Sequence, residues 1–236
     1  MTFLDSIFGS ALKKHTRRVS TRDAQPEDRE ASARWLVENG TDEALRAVFG
    51  RFELQLEHSL KDKKEKEYVF DLLVEAGAPA AAAARAFART SVHFQWAVAV
   101  IDRIEGAGAG TGALLDLLAA QRLEDEFKPE KKRTLLLFLA ERKAPGIAEA
   151  ATRFLPDFDE GVRHAAIEAV AAQGGDGAVL APALLNPKEE STRIRGRLAE
   201  LFANNAWSLP EDAWLAANVP VGFRLSEGKL VARDAR

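Results

Sequence analysis

Between Gly106 and Ala113 the chain reads Gly-Ala-Gly-Ala-Gly-Thr-Gly-Ala, and Gly108, Gly110 and Ala113 fall at the spacing of a dinucleotide-binding loop. Such a loop holds a pyrophosphate only where a strand delivers a tight turn to a helix N-terminus. The preceding residues, 93–105, instead carry a helical apolar period, and no Lys-Ser or Lys-Thr follows to make a P-loop. The segment is therefore expected to be a flexible inter-helix loop with Thr111 as an N-cap. The four histidines, His15, His58, His93 and His164, are scattered, and no two stand four residues apart. That spacing gives no metal site, because a helical ligand pair needs both side chains on one face. Gly-x-Ser-x-Gly and His-Glu-x-x-His signatures are absent. With no cysteine, disulfides, thiolate nucleophiles and cysteine-ligated zinc are excluded. No catalytic residue, cofactor site or metal ligand is expected, and the chain reads as a non-enzyme.

Charge-bearing motifs remain. Arg85 and Arg89 stand four apart on an expected helix, so they share a face and are candidate contacts for an acidic protein partner. Lys61-Asp62-Lys63-Lys64-Glu65-Lys66-Glu67 mixes both signs at helical spacing and reads as a solvated face. At the N-terminus, Phe3, Leu4, Ile7, Phe8 and Leu12 form one apolar helical stripe, followed by Lys13, Lys14, Arg17 and Arg18. Three roles suit that pattern: a cap covering the first hairpin near Trp35 and Leu36, a partner-binding helix, or a peripheral membrane anchor facing anionic lipid. Residues 16–25 read as the linker behind it.

The elements that must position these residues are helical. Of 236 residues 47% are apolar and 29% charged, as in a folded soluble domain, and no window approaches a membrane span. Lacking a signal-peptide pattern, the chain is expected in the cytoplasm, or peripherally at the inner membrane face. Residues 1–22 hold five basic and one acidic side chain, a net +4, which leaves −7 for the rest of a chain totalling −3. A mildly acidic body disfavours nucleic acid as the partner. Apolar helical periods punctuated by Gly40, Gly77, Gly106, Pro145 and Gly174 predict two-helix units. These are 26–38 with 41–52, 62–76 with 79–89, 93–105 with 111–121, 129–142 with 145–154, 159–173 with 176–185, and a lone helix at 189–204. Ala80 to Ala84 is expected to let backbones approach closely, and Leu135 to Leu139 to be enclosed on all sides. Beyond 205, Ser208-Leu209-Pro210-Glu211 has capping-box spacing, and residues 223–231 alternate as a β-hairpin around Gly228.

Pro156 to Asp176 carries the strongest motif. An acidic turn with Asp157 and Asp159, the Val162-Arg163 pair on a first helical turn, small residues including Ala166, and a glycine stop together resemble a HEAT repeat. The variant is similar to the repeats of phycobilisome lyases. Thr192 to Leu198 keeps a weaker echo. The resemblance implies an all-α, armadillo-like α-solenoid of five to six HEAT-like hairpins with a small C-terminal β-hairpin cap. Its domains would be an N-terminal helix and basic linker at 1–22, the solenoid at 23–205 and the cap at 206–236. It implies that Arg163 bonds acidic or carbonyl groups of adjacent turns, near Asp157 or Asp159. In function it implies a protein–protein scaffold or adaptor. Alternatives from the same architecture are a helical-repeat DNA glycosylase of alkylation repair and, last, a chromophore lyase. The basic concave groove of the glycosylases has no counterpart here, since Trp96, Trp207 and Trp214 lack a flanking basic run.

Overall fold

A computed structural model describes residues 3–123 and 129–233, with the side chains of residues 3–8 outside that description. The chain is mostly helical, with a two-stranded antiparallel sheet near its C-terminus. It divides into two units, Met1–Ala113 and Leu114–Arg236.

The first unit holds α1 (Phe3–Val19), α2 (Pro26–Asn39), α3 (Asp42–Val48), the single turn α4 (Gly50–Glu53), α5 (Ser59–Ala76), α6 (Ala78–Thr90) and α7 (Gln95–Glu105). Local signals place these helices. Pro26 opens α2, where its missing N–H costs nothing, and Gly40 ends it at φ 67° with its N–H donating to Leu36 O. Thr41 then accepts from the Ala44 N–H to start α3. Packing runs α1 on α2, α2 on α3 and α5, α3 on α6, and α5 and α6 on α7. Ala80, Ala81, Ala83 and Ala84 are all buried, so the alanine run of α6 serves close helix approach. Phe49, Phe52, Phe87 and Trp96 form one aromatic cluster, the Phe52 and Trp96 rings stacked at 5.2 Å.

Three expectations fail in this unit. The glycine-rich loop is a helix, α8 (Ala107–Ala119), which runs across the division between the units. Only Gly106, at φ 95°, breaks the chain, and Thr111 Oγ1 donates back to Ala107 O inside the helix instead of capping it. At Gly110 the Asp102 carboxylate lies where a Cβ would be, so that side chain rests against the bare helix. The linker expected at residues 16–25 begins late, because α1 continues to Val19, whose side chain is fully buried. Finally, the mixed-charge run is only in part a solvated face: Lys61, Lys63, Lys64 and Glu67 are exposed, but Asp62 and Glu65 turn toward the buried Arg29 and Arg51, and Lys66 is buried with them on Asp62.

The second unit holds α9 (Pro129–Ala140), α10 (Ile147–Thr152), α11 (Glu160–Gln173), α12 (Ala181–Leu184), α13 (Thr192–Asn204) and α14 (Ala213–Ala217), then β1 (Phe223–Ser226) and β2 (Lys229–Ala232). Here α9 packs on α11, α10 on α11, and α11 and α12 on α13. The second helices are shorter than the sequence suggests. Residues 145–154 give only Ile147–Thr152, and 176–185 give only Ala181–Leu184, because Gly146, Gly174, Gly175 and Gly177 all take positive φ. In α9, Leu135, Leu136 and Leu139 are buried, but Leu137 stays 42% exposed, so this helix keeps a solvent face. The capping box expected at Ser208 does not form. Ser208 bridges Lys229 beside the hairpin, and Asp212 caps α14 by accepting from the Leu215 N–H. The hairpin pairs Phe223 with Ala232 through Ser226 with Lys229. Its turn residues Glu227 and Gly228 both have positive φ, as a type I′ turn requires, and Leu230 is buried as β2 packs on α13.

Candidate protein-docking groove

A cation at the fourth helical residue organises the helix starts, and it recurs in both units. In α2 this residue is Arg29, whose Nη1 donates to Thr21, Arg22 and Ala24 carbonyls in the preceding loop, while Nε and Nη2 clasp Glu65 at 2.8 Å. In α9 it is Lys132, donating to Arg122 and Leu123 carbonyls and, at 2.7 Å, to the Asp157 carboxylate. In α11 it is Arg163, with Nη1 on the Asp157 and Phe158 carbonyls at 3.0 Å and a bidentate pair to Glu189. A cation near a helix N-terminus opposes the helix dipole, so each needs its carboxylate. The carboxylate comes each time from a later helix or from the loop that precedes it.

In the first unit the clamp becomes a buried network. Arg51 reaches both Glu65 and Asp62, and Lys66 reaches Asp62 at 2.7 Å, with all five side chains almost fully buried. Burial alone would raise the Asp62 and Glu65 carboxyls. Hydrogen bonds from Lys66 and Arg51 to Asp62, and from Arg29 to Glu65 with the Arg51 charge beside it, outweigh burial and hold both below the usual carboxylate range.

In the second unit the clamps shape a groove. The turn before α11 is tied down from several directions: the Asp157 carboxylate takes Lys132 and the Asp159 N–H, the Asp157 and Phe158 carbonyls take Arg163, and Asp159 caps α11 through the Val162 N–H. Val162 and Ala166 are fully buried beneath it. Yet Phe158, inside this fixed turn, is 71% exposed. It helps line an open cavity of about 930 Å3, together with Leu155, Ile167, Ala183, Ile194 and the exposed Val179. Its lining comes from α11, the single turn α12 and the loops on either side of them. Of the lining charges, Arg163 and Glu189 satisfy each other and Asp157 is held by Lys132. Among the described residues, Glu160 meets only the exposed Arg193, at 3.4 Å, while Lys188 and Glu190 have no ion pair.

The other candidate residues lie elsewhere. Phe3, Leu4, Ile7 and Phe8 sit on the helical backbone of α1, but their side chains fall outside the described residues. Leu12 is half-buried, and the same stripe continues through His15, stacked on Trp35 at 4.3 Å, to Val19. Lys13, Lys14 and Arg17 are exposed. Arg85 and Arg89 both project from α6, but the Arg85 guanidinium is already bidentate with Glu105, whose carboxyl its hydrogen bonds depress. Trp96 packs in the aromatic cluster, Trp207 lies edge-on to Phe202, and Trp214 lies under Arg195. Burial lowers the pKa of His15 and of His164, the latter aided by Arg193, so neither is poised as a cation near neutral pH. No known protein family, curated protein or solved structure matches this chain. The groove must therefore be interpreted from its own geometry.

Sequence reasoning named Arg163 but missed Lys132, Arg29, Glu189 and Phe158. A signal was present: a basic residue four into a helix, with an acid 25, 26 or 36 positions later, occurs in three helices, α2, α9 and α11. Among the described residues no helix is long and apolar enough to cross a membrane, and no cluster of three or more His, Asp or Glu is arranged to hold a metal ion.

Proposed function

We propose that this chain is a non-catalytic protein–protein scaffold built from HEAT-like hairpins in the α-solenoid manner, with the groove between α11 and α12 as a docking surface. Successive first helices packing on one another, α2 on α5 and α7 beyond it, and α9 on α11 and α13 beyond that, support the repeat reading within each unit. The recurring fourth-residue clamp supports it further, since a repeat reuses one solution at equivalent positions. The observation that carries the docking role is Phe158. An exposed aromatic ring normally folds down onto its own protein, because burying it is worth about 1.5–3 kcal/mol. Here the backbone on both sides is fixed, and the exposed ring lines a cavity of mixed apolar and charged residues. That is the arrangement of a pre-organised interface anchor, whose ordering entropy is lost before binding.

The test is a photo-crosslinking amino acid placed at Phe158 in the intact chain in its own cells, with the exposed Leu60 as control position. Discrete protein adducts at position 158 and none at 60 are expected. Equal labelling at both positions, or none at either, would remove the docking role.

A further inference from the structure

The groove carries both a projection and the recess that would receive it. Phe158 stands on one wall, while Leu155, Ile167, Val179, Ala183 and Ile194 line the hollow beside it. The rim is also mixed in sign. Once Arg163–Glu189 and Lys132–Asp157 are counted as internally satisfied, Lys188 and Glu190 have no ion pair among the described residues and Glu160 has only the exposed Arg193. A rim of one sign selects an oppositely charged partner. A rim bearing one cation beside acids is instead matched by its own two-fold image, in which Lys188 of each copy meets an acid of the other. Resting on the docking role proposed above, we infer that the occupant of the groove is a second copy of this chain. Each copy inserts Phe158 into the other's hollow, and Lys188 faces Glu160 or Glu190 of the other copy across the two-fold axis.

A two-fold contact counts every substitution twice, which makes it sensitive to single changes. Sedimentation equilibrium of the full chain from about 1 to 100 µM, a range that spans ordinary dimer affinities, reads the dimer constant. The wild-type chain is expected to dimerise with concentration. Phe158→Ser, at an exposed position where folding is checked by circular dichroism, should weaken the dimer at least about a hundredfold, since two rings lose burial. Lys188→Glu should weaken it about tenfold, and adding either Glu160→Lys or Glu190→Lys to the same chain should restore it. Three outcomes overturn the inference: a wild-type chain that stays monomeric throughout, a dimer indifferent to Phe158→Ser, or a Lys188→Glu defect that neither reversal repairs. A monomeric chain that still crosslinks a different protein through position 158 overturns self-association alone and leaves the docking role standing.

Discussion

The first unit gathers its buried charge into one knot, whereas the second strings it along a ladder. In the knot, Glu65 serves both Arg29 and Arg51, and Asp62 serves both Arg51 and Lys66. In the ladder, Lys132 takes Asp157 and Arg163 takes Glu189, one acid to one base, with the turn at 157–158 linking the two steps. Both begin from a cation at the same helical position. The difference lies in redundancy: a shared acid stabilises more per group, but its loss strands two cations in a low-dielectric interior. A ladder gives up less per rung and leaves a partly open turn free to present Phe158.

The sharpest way to break the comparison is Glu65→Gln. It leaves Arg29 and Arg51 without their common carboxylate and should cost about 3–5 kcal/mol, the range for breaking a buried pair. Urea denaturation followed by tryptophan fluorescence checks this, with Trp207 and Trp214 replaced by Phe so that Trp35 and Trp96 report on the first unit. A loss under about 1 kcal/mol would mean that the knot is not cooperative. Asp157→Asn comes next. Lys132 keeps two carbonyls and gains an amide oxygen, so about 1.5–3 kcal/mol should be lost, read from Trp207 and Trp214. Arg163→Lys, at a half-buried site, removes the fork geometry but keeps the charge, and about 0.5–1.5 kcal/mol is expected.

Acid should also loosen the knot. The Asp62 and Glu65 carboxyls are depressed in the folded chain, so the stabilisation they give is complete above the unfolded-state range near ~4 and disappears as pH falls through their lower folded values. A pH series of melting temperatures should show this loss in the wild type and its absence in Glu65→Gln/Asp62→Asn. The smallest change is Phe158→Ser. At concentrations where the chain is monomeric, stability should move by no more than about 0.5 kcal/mol, because the ring contributes to a surface rather than to the core.

How much of this was legible in the sequence differs between the same two regions. Glycine and proline punctuation placed the helices of both, because a positive φ at Gly40 or Gly174 is a local requirement that the residue type announces. The turn around Asp157 could also be read locally, since Asp159, Val162 and Arg163 act within a few residues of one another. The knot could not. Lys61 to Glu67 carries alternating signs that suit a solvated helix equally well, and its burial depends on Arg29 and Arg51 arriving from other helices. Phe158 was overlooked for a related reason: a lone aromatic in an acidic turn acquires meaning only when the recess next to it is known. The glycine run at 106–112 misled in the opposite way, because glycine tolerates helix, and here a close neighbour such as Asp102 rests against it.

The last rung of the ladder differs from the others in kind. Arg195, fourth in α13, takes no carboxylate: its guanidinium lies 4.6 Å from the centroid of the Trp214 ring, and Nη2 donates to the Asn218 carbonyl. Neither an indole face nor a peptide oxygen gains a proton in mild acid. As carboxylates elsewhere are neutralised, including Glu168, which takes Arg197 and so ties α13 to α11, this contact keeps its full strength, so α14 stays fastened to α13 after the charged ties of α13 to its neighbour have gone.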